Sequence, residues 1–406
     1  MPHPEVTIAG RLVATGAPVA LRLAGGRIAA IRPLPDPAAD LPWLGAGLVD
    51  LQVNGYGGLD CNAPPLAGDL VARLTGLLWR EGVTTYLPTV ITNSDESIAA
   101  SLRAIALARA SDPLLASALP GIHLEGPFIS PEDGPRGAHE RARVRPPDWD
   151  SFRRWQAAAG GAIRLVTLAP EWPGAPAFIA RCVASGVAVA LGHTAATPEQ
   201  LDAAIAAGAR LSTHFGNGAH PTLPRHPNYL WDQLARDELA ASLIADGWHL
   251  PDAVLRVVMR VKGAGAWLVS DTVALAGLPP GRYTTPVGDR VTLTPAGRLQ
   301  LVSDPRLLAG AVCPLRGAVA HLVGRGLASL DTAWAMASER PARFLGLAAG
   351  AGLVAGAPAD LVVFYWDGAT IAVCRTYKDG RLVYERAGLD KTLGSCRPSS
   401  AADRMV

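Results

Sequence analysis

VAVALGHTAAT (187–197) is the most informative stretch for the fold, because it joins a short apolar run to a turn and the start of a helix. The run VAVALG (187–192) predicts a buried β-strand, and His193 follows directly. Thr197-Pro198-Glu199 then predicts an N-cap with proline in the first helical turn, ahead of TPEQLDAAIAAG. Near-continuous apolar strands that alternate with amphipathic helices indicate a parallel sheet.

The same alternation recurs along the middle of the chain. Eight strands are predicted there: LVDLQV (48–53), TTYLPTV (84–90), GIHLE (121–125), IRLVTLA (163–169), VAVALG (187–192), RLSTHF (210–215), ASLIA (241–245) and AWLVS (266–270). Eight repeats over about 250 residues predict a (β/α)8 TIM-type metallohydrolase barrel with its active site at the C-terminal ends of the strands. A hairpin-like insert (282–302) and helices over 305–324 and 329–345 are expected after the eighth strand.

The two ends of the chain are β-rich and differ from the middle. Short β-type runs precede a Pro-rich linker, and strands return late with Lys378-Asp379-Gly380 as a hairpin turn. We therefore predict a small β-sandwich domain built from residues 1–45 and 350–388, beside a catalytic barrel over 46–349. The polar tail 389–406 is expected to be disordered.

Bulk composition excludes several classes of protein. The 406 residues are 49 % hydrophobic with a formal net charge of +2, which favours a globular protein and gives no reason to expect nucleic acid or a membrane as a partner. Five cysteines without a Cys-x-x-Cys pair indicate separate thiols in a reducing compartment. No signal peptide is visible at the start, so a cytoplasmic location is expected.

Four residues just past predicted strands carry the chemistry: Glu125, His193, His214 and Asp271. One carboxylate and two imidazoles form a three-ligand metal set that leaves a position open for water. Asp271, at the end of the eighth strand, is placed to carry that water's proton. These residues predict metal-assisted hydrolysis with one divalent ion, for which Zn²⁺ and Fe²⁺ both suit the ligands.

Each of these residues also has an ordinary structural explanation. The two histidines could be hydrogen-bonded core residues, Glu125 could pair with Arg136, and Asp271 could cap a turn. His139 and His249, in the loops after strands three and seven, could contact a substrate or be solvated loop residues. His220 and His226, in the Pro-rich loop after strand six, are interpreted as structural or rim residues.

Motifs that follow one another along nearly the whole chain resemble the N-acetylglucosamine-6-phosphate deacetylases of the amidohydrolase superfamily. They are GLVDLQVNGYGG (47–58), GIHLEGPFI (121–129), RGAHE (136–140), LGHTAAT (191–197), THFGN (213–217), IADGWH (244–249), LVSDT (268–272), LAG (308–310) and ASERPARFLGL with GAPADLVVF (337–364). The combination of HLEGPF with the later Gly-His, Thr-His and Ser-Asp pieces is specific.

The resemblance implies an activity and a set of site residues. It implies removal of the acetyl group from N-acetylglucosamine 6-phosphate, with metal ligation by Glu125, His193 and His214 and proton transfer by Asp271. It also implies a homodimer in which Arg225 is lent across the interface to hold the phosphate. The implied substrate contacts are Ala138, His139, Asn217, Gly218, Arg225, His249, Leu308, Ala309 and Gly310.

The first predicted strand indicates a single metal ion. Many barrel metallohydrolases have His-x-His there, whereas this chain has Gln52 and Asn54, which are poor metal ligands. Strand four also lacks the lysine with which many two-metal relatives bridge their ions. Zinc is the preferred assignment, with Gln52 and Asn54 as possible additional site residues.

The chain departs from the family pattern around the expected sugar and phosphate pocket. Gly218-Ala219-His220 follows Asn217 where the family commonly has Ala-Met, and Ala311 stands where a Ser often follows Leu-Ala-Gly. Three other substrates therefore stay open: N-acetylgalactosamine 6-phosphate, an unphosphorylated N-acetyl sugar and an N-acyl amino acid. A catalytically inert barrel with an assembly role is the alternative from another class.

Overall fold

The computed structural model describes residues 5–35, 40–285 and 290–387. Within these ranges no helix has the length and apolar character needed to cross a bilayer. The tail predicted to be disordered lies outside the described residues. Four cysteines within them are free thiols: Cys61, Cys182, Cys313 and Cys374.

The terminal segments form a seven-stranded sheet that makes up the β-sandwich predicted from sequence. Its core draws apolar side chains from both ends of the chain, among them Leu21, Ile28, Leu361 and Tyr377. The strands are β1 (Val6–Leu12), β2 (Pro18–Ala24), β3 (Arg27–Pro33) and β4 (Trp43–Ala46), with β18 (Leu361–Trp366), β19 (Ile371–Lys378) and β20 (Arg381–Glu385). They pair in the order β20-β19-β18-β4-β1-β2-β3.

The predicted hairpin turn joins β19 to β20. Asp379 and Gly380 both have positive φ, 48° and 72°. A two-residue hairpin turn of this kind requires such angles and favours Asp-Gly for that reason. The turn prediction is therefore confirmed.

The middle of the chain forms the predicted barrel of eight parallel strands. They are β5 (Leu48–Val53), β8 (Val83–Ile91), β9 (Ile122–Glu125), β10 (Ile163–Leu168), β11 (Ala188–Leu191), β12 (Leu211–Ser212), β13 (Ala240–Leu243) and β14 (Ala266–Leu268). Each is hydrogen-bonded to the next in chain order. A parallel bridge between Val53 and Thr272 links the first strand to the segment after the last. The backbone N–H of Asp271 also donates to Gln52 O at 3.0 Å, so the barrel is nearly closed.

Helices follow the strands as the alternation predicts. They are α1 (Leu70–Arg80), α2 (Asp95–Ser111), α3 (Pro113–Ala118), α4 (Trp149–Ala158), α5 (Ala175–Ala184), α6 (Pro198–Ala206), α7 (Tyr229–Ala235) and α8 (Asp252–Lys262). Thr197 caps α6 as predicted, in a reciprocal capping box with Gln200. The short strands β6 (Gly55–Tyr56) and β7 (Leu59–Asp60) form a small hairpin after β5.

The region after the eighth strand differs in part from the prediction. The insert is a three-stranded antiparallel sheet, β15 (Gly281–Thr284), β16 (Arg290–Leu293) and β17 (Leu299–Leu301). The helix predicted over 305–324 begins only at Leu315, because Leu308 and Ala311 form β-bridges with Gln300 and Thr272.

The helix predicted over 329–345 is interrupted. It consists of α10 (Leu330–Met336) and α11 (Glu339–Phe344), which follow α9 (Leu315–Gly324). Ser338 breaks the helix, since its φ of −138° and ψ of −86° are not helical.

The chain divides into two compact units. One contains 1–50, 75–85 and 315–406, and the other contains 51–74 and 86–314. This division places α9, α10 and α11 with the terminal strands, whereas the predicted boundaries of 46 and 349 place them with the barrel. The domain boundaries at those positions stay a prediction.

Candidate metal centre

Glu125, His193 and His214 converge at the C-terminal ends of three barrel strands. Glu125 is the last residue of β9, and each histidine follows the end of β11 or β12 by two residues. One ligand atom from each of the three side chains lies within 4.8 Å of the others. The three residues are distant in sequence, and they form a three-ligand group because their strands end at the same face of the barrel.

The ligand atoms approach one another closely. His214 Nε2 lies 2.9 Å from Glu125 Oε1 and 3.0 Å from His193 Nε2, and His193 Nε2 lies 3.4 Å from the same carboxylate oxygen. All three residues are buried. Two imidazole nitrogens and a carboxylate oxygen aimed at one point are the donor set of a zinc-type site, so these residues fit a divalent cation.

The backbone at the strand ends is strained. His193, His214 and Asp271 have positive φ values of 52°, 30° and 50°. They are three of the four non-glycine residues with such angles in the described part of the chain. Left-handed backbone at non-glycine residues costs about 1–3 kcal/mol each and is concentrated at functional sites. The backbone strain therefore occurs at three of the four residues that the sequence predicts to carry the chemistry.

Close backbone approach holds the His193 ring in place. His193 Nδ1 donates to Pro135 O at 2.9 Å, which leaves the lone pair of a neutral ring on Nε2, towards the centre. A Cβ at Gly218 would lie 2.6 Å from His193 Nδ1, and one at Gly137 would lie 3.3 Å from its Cε1. Both glycines have positive φ, so any side chain there would clash or strain the loop.

Glu125 stays ionised despite its burial. Burial alone would raise its pKa, but the contacts with His193 and His214 hold the pKa well below its usual range. Gln52 Nε2 donates a further hydrogen bond of 2.8 Å to Glu125 Oε1. The alternative pairing of Glu125 with Arg136 is not found among the described residues, where Arg136 pairs with Asp133 at 2.5 Å.

Asp271 carries a carboxyl group whose proton affinity suits transfer near neutral pH. Burial and the negative charge of Glu125 raise its pKa to about 6, against the opposing effects of His214, Asn54 and His249. Asn54 Nδ2 donates to Asp271 Oδ1 at 2.7 Å. Gln52 and Asn54 therefore each hold one carboxylate of the site.

His139 is a buried residue of the centre rather than a solvated loop residue. Its ring packs edge-on against His193, with the centroids 4.5 Å apart, and its Nδ1 lies 2.7 Å from Thr92 Oγ1. Burial and the neighbouring His193 lower its pKa to about 3. His139 is therefore neutral at physiological pH and acts through hydrogen bonds rather than charge.

His249 is likewise held in place. Its side chain is 10 % exposed, and its Nδ1 lies 2.7 Å from Asp246 Oδ2. Asp246 Oδ1 accepts hydrogen bonds from the backbone N–H groups of Trp248 and His249, at 2.8 and 2.9 Å. The ring is therefore fixed in the loop after strand β13.

The remaining expected contact residues lie in loops after β9, β12 and the insert. Asn217 donates to His214 O at 3.1 Å, whereas Ala138 and Arg225 are exposed. Ala309 donates to Leu299 O, and the neighbouring Ala311 bridges Thr272, so the segment 308–310 runs beside the chain that follows Asp271. The hydrogen bonds of the described residues do not link Arg225 to the metal ligands.

His220 has a structural role, as interpreted from the sequence. Its Nε2 lies 3.2 Å from Glu132 Oε2, and its Nδ1 lies 3.0 Å from the Tyr229 hydroxyl. These contacts join the loop after β9 to the loop after β12. His226 is exposed.

Sequence reasoning missed several residues that support the site. Thr92 and Asp246 follow strands β8 and β13 and could have been found by the strand-end rule that found Asp271. His123 precedes Glu125 by two residues and so lies on the same face of β9. It is buried with its Nε2 2.8 Å from Thr167 Oγ1, and burial lowers its pKa to about 4.

Comparison with known proteins agrees with this geometry. The profile of the Amidohydrolase family matches residues 44–383. The N-acetylglucosamine-6-phosphate deacetylase of Bos taurus is 35 % identical over 352 residues, covering 84 % of this chain and 83 % of the relative. The N-acetylgalactosamine-6-phosphate deacetylase of Escherichia coli O157:H7 is 34 % identical over 331 residues, covering 80 % and 85 %.

A solved structure resembles the whole fold. It is a mutant of N-acetyl-D-glucosamine-6-phosphate deacetylase from Mycobacterium smegmatis in complex with N-acetyl-D-glucosamine-6-phosphate. Its TM-score is 0.81 at 30 % sequence identity, and the match covers 93 % of this chain and 99 % of that one. The chain belongs to the N-acetylglucosamine-6-phosphate deacetylases of the amidohydrolase family.

Proposed function

We propose that the chain hydrolyses the amide bond of N-acetylglucosamine 6-phosphate and releases acetate and glucosamine 6-phosphate. The observation that carries the proposal is the convergence of Glu125, His193 and His214 with Asp271 at the mouth of the barrel. Relatives that share most of the chain carry the name of this activity. An amide hydrolase needs a polarising centre and a proton carrier side by side, and these four residues provide both.

Glu125, His193 and His214 would hold one divalent ion, which we propose to be Zn²⁺, with Fe²⁺ as the alternative. When bound, the ion supplies Lewis acidity and lowers the pKa of a water molecule towards neutrality. The side chains that hold it are oriented by their own hydrogen bonds, His193 to Pro135 and Glu125 to Gln52. This support keeps the three donor atoms pointing at one position.

Asp271 performs both proton transfers in the proposed reaction. Its carboxylate takes the proton of the attacking water as the oxygen adds to the acetyl carbon. The same carboxyl group then gives that proton to the amide nitrogen as the C–N bond breaks. A pKa raised to about 6 serves both steps, because the group must accept and return a proton near neutral pH.

The surrounding residues bind the sugar phosphate. We propose that His139 and His249 contact the acetyl oxygen or a sugar hydroxyl. The Asn217-Gly218 backbone and Arg225 hold the phosphate, because a planar guanidinium pairs with two phosphate oxygens at once. Ala138 and the segment Leu308, Ala309 and Gly310 line the rest of the sugar site.

The proposed assembly is a cytoplasmic homodimer. Arg225 is exposed and has no ion-pair partner among the described residues. A charged side chain without a partner in its own subunit suits a site across an interface, where it would meet the phosphate held by the other subunit.

The test is acetate release by the zinc-loaded protein from three substrates: N-acetylglucosamine 6-phosphate, its galactosamine epimer and unphosphorylated N-acetylglucosamine. We expect fast release from the first alone. Equal release from the unphosphorylated sugar would overturn the phosphate requirement, and faster release from the epimer would overturn the assigned sugar. Release from none of the three would overturn the proposed function.

A further inference from the structure

Asp246 is a third carboxylate at the barrel mouth, beside Glu125 and Asp271, and the mechanism above gives it no task. It follows strand β13 by three residues, and its side chain is 4 % exposed. Burial alone would raise its pKa, but the hydrogen bonds from His249 and the backbone N–H groups of His249 and Trp248 hold that pKa below its ordinary value. A buried carboxylate that stays ionised and faces one histidine is placed to control that histidine.

We propose that Asp246 is a positioning residue that fixes the tautomer of His249, so that its Nε2 presents a hydrogen-bond acceptor to the substrate. An ionised carboxylate only accepts hydrogen bonds, so the 2.7 Å contact between Asp246 Oδ2 and His249 Nδ1 requires the proton on Nδ1. In the neutral ring the lone pair is then on Nε2. Among the described residues Nε2 has no hydrogen-bond partner, so it is free for a ligand.

The remaining contacts of Asp246 make this arrangement rigid. Its Oδ1 accepts the N–H groups of Trp248 and His249, so the carboxylate is bound to the backbone of the residue whose ring it orients. His249 lies in the loop after β13, and β13 pairs with β14, the strand that Asp271 follows, so the ring and the reacting carboxylate come from neighbouring strand ends. This narrows the contact proposed above for His249: an acceptor there recognises a donor on the substrate, either a sugar hydroxyl or the amide N–H, so the acetyl oxygen is left to His139.

The replacement Asp246→Asn should change the tautomer of His249 and leave the rest of the structure unchanged. Its Oδ1 keeps both backbone hydrogen bonds, while Nδ2 takes the place of Oδ2 and donates to Nδ1. The proton of the neutral ring must then lie on Nε2, and His249 presents a donor where wild type presents an acceptor. Asp202→Asn is the matched control, because Asp202 is a hydrogen-bonded carboxylate that pairs with Arg236 on the helical side of the barrel.

The experiment is ¹⁵N NMR of histidine-labelled, zinc-loaded protein at alkaline pH, where free imidazoles are neutral. His249→Gln assigns the signal. We expect the Nδ1–H tautomer in wild type and in Asp202→Asn, and the Nε2–H tautomer in Asp246→Asn. With N-acetylglucosamine 6-phosphate, kcat/KM of Asp246→Asn should fall at least about tenfold, as for other residues that orient a site side chain.

The substrate contact in this inference rests on the proposed function. The possible results show which of the two is refuted. An Nε2–H tautomer in wild type overturns it without any variant, even if Asp246→Asn does not fold. A switched tautomer with unchanged kcat/KM also overturns it, as does lost activity without a switch. A wild-type enzyme that releases acetate from no sugar would instead refute the proposed function and leave the tautomer result standing.

Discussion

Asn54 Nδ2 donates a hydrogen bond of 2.7 Å to Asp271 Oδ1, so an amide that follows the first barrel strand orients the carboxylate that follows the last. The two residues are 217 positions apart in sequence. They meet because the Asp271 N–H bonds to Gln52 O at the closure of the barrel. In this chain the closure of the barrel thus also builds the proposed proton-transfer site.

Replacing Asn54 with alanine should lower kcat because Asp271 loses its orienting hydrogen bond. We expect a loss of roughly 10–100-fold, the range found when an orienting partner is removed. Asn62→Ala is the matched control, since its amide binds Thr89 O and the Ile91 N–H rather than either carboxylate of the site. That control should lower the melting temperature and leave kcat near the wild-type value. Wild-type kcat in Asn54→Ala would contradict the assigned role.

Replacing Asp271 with asparagine should abolish turnover while metal and substrate still bind. The amide is nearly isosteric but cannot accept and return a proton, so kcat should fall by at least about 100-fold. Acetate release, zinc content and substrate affinity of the purified variant check the three parts separately. Turnover near the wild-type rate with bound zinc would remove Asp271 from the mechanism.

Removing the metal should stop the reaction, and Gln52→Ala should make removal easier. Gln52 holds Glu125 Oε1 in position, so its loss should weaken zinc binding by roughly 10–100-fold. Chelator titration followed by zinc return measures both effects. The control is Gln156→Ala, whose amide bonds the backbone of Ile163 at the N-terminal end of β10, the end opposite the site. Equal zinc affinity in the two variants would show that Gln52 does not support the ligand.

A dimer that shares Arg225 predicts complementation between two inactive variants. Arg225→Ala lacks the phosphate contact and Asp271→Asn lacks the proton carrier, so each homodimer should be nearly inactive. In a mixed dimer one of the two sites has both residues, and statistical exchange should restore about a quarter of wild-type activity. As a reference for subunit exchange, Arg256→Ala, a change at an exposed residue of α8, mixed with Asp271→Asn should retain about half of wild-type activity. No restoration after verified subunit exchange would place Arg225 in its own subunit's site.

The ion pair between Lys378 and Asp360 should be important for stability and not for catalysis. Lys378 Nζ lies 2.6 Å from Asp360 Oδ2, and both side chains are at most 5 % exposed. Asp360→Asn would leave a buried cation without its counter-charge, which costs about 3–5 kcal/mol in the free energy of unfolding. Urea unfolding checks this value. Glu5→Gln, which removes the exposed pair with Arg22, should change it by less than about 1 kcal/mol.

Local patterns predicted which strand-end residues lie together better than they predicted the conformation of the segments around them. The strand-end rule found Glu125, His193 and His214, because all parallel strands of a barrel deliver their C-terminal residues to one face. The same rule could not show that Leu308 and Ala311 leave the predicted helix to form bridges with Gln300 and Thr272. Partners from distant segments decided that conformation.

The amino-acid sequence was enough to predict the alternation of strands and helices, the capped start of α6, the Asp379-Gly380 turn and the residues that meet at the barrel mouth. Each of these follows from periodicity or from the φ preference of a few neighbouring residues. The folded structure was needed to show that Arg136 pairs with Asp133, that Asn54 orients Asp271 and that Asp246 holds His249. Hydrogen bonds and ion pairs depend on separations of a few tenths of an ångström, and these are set only when the strands, turns and loops are packed together.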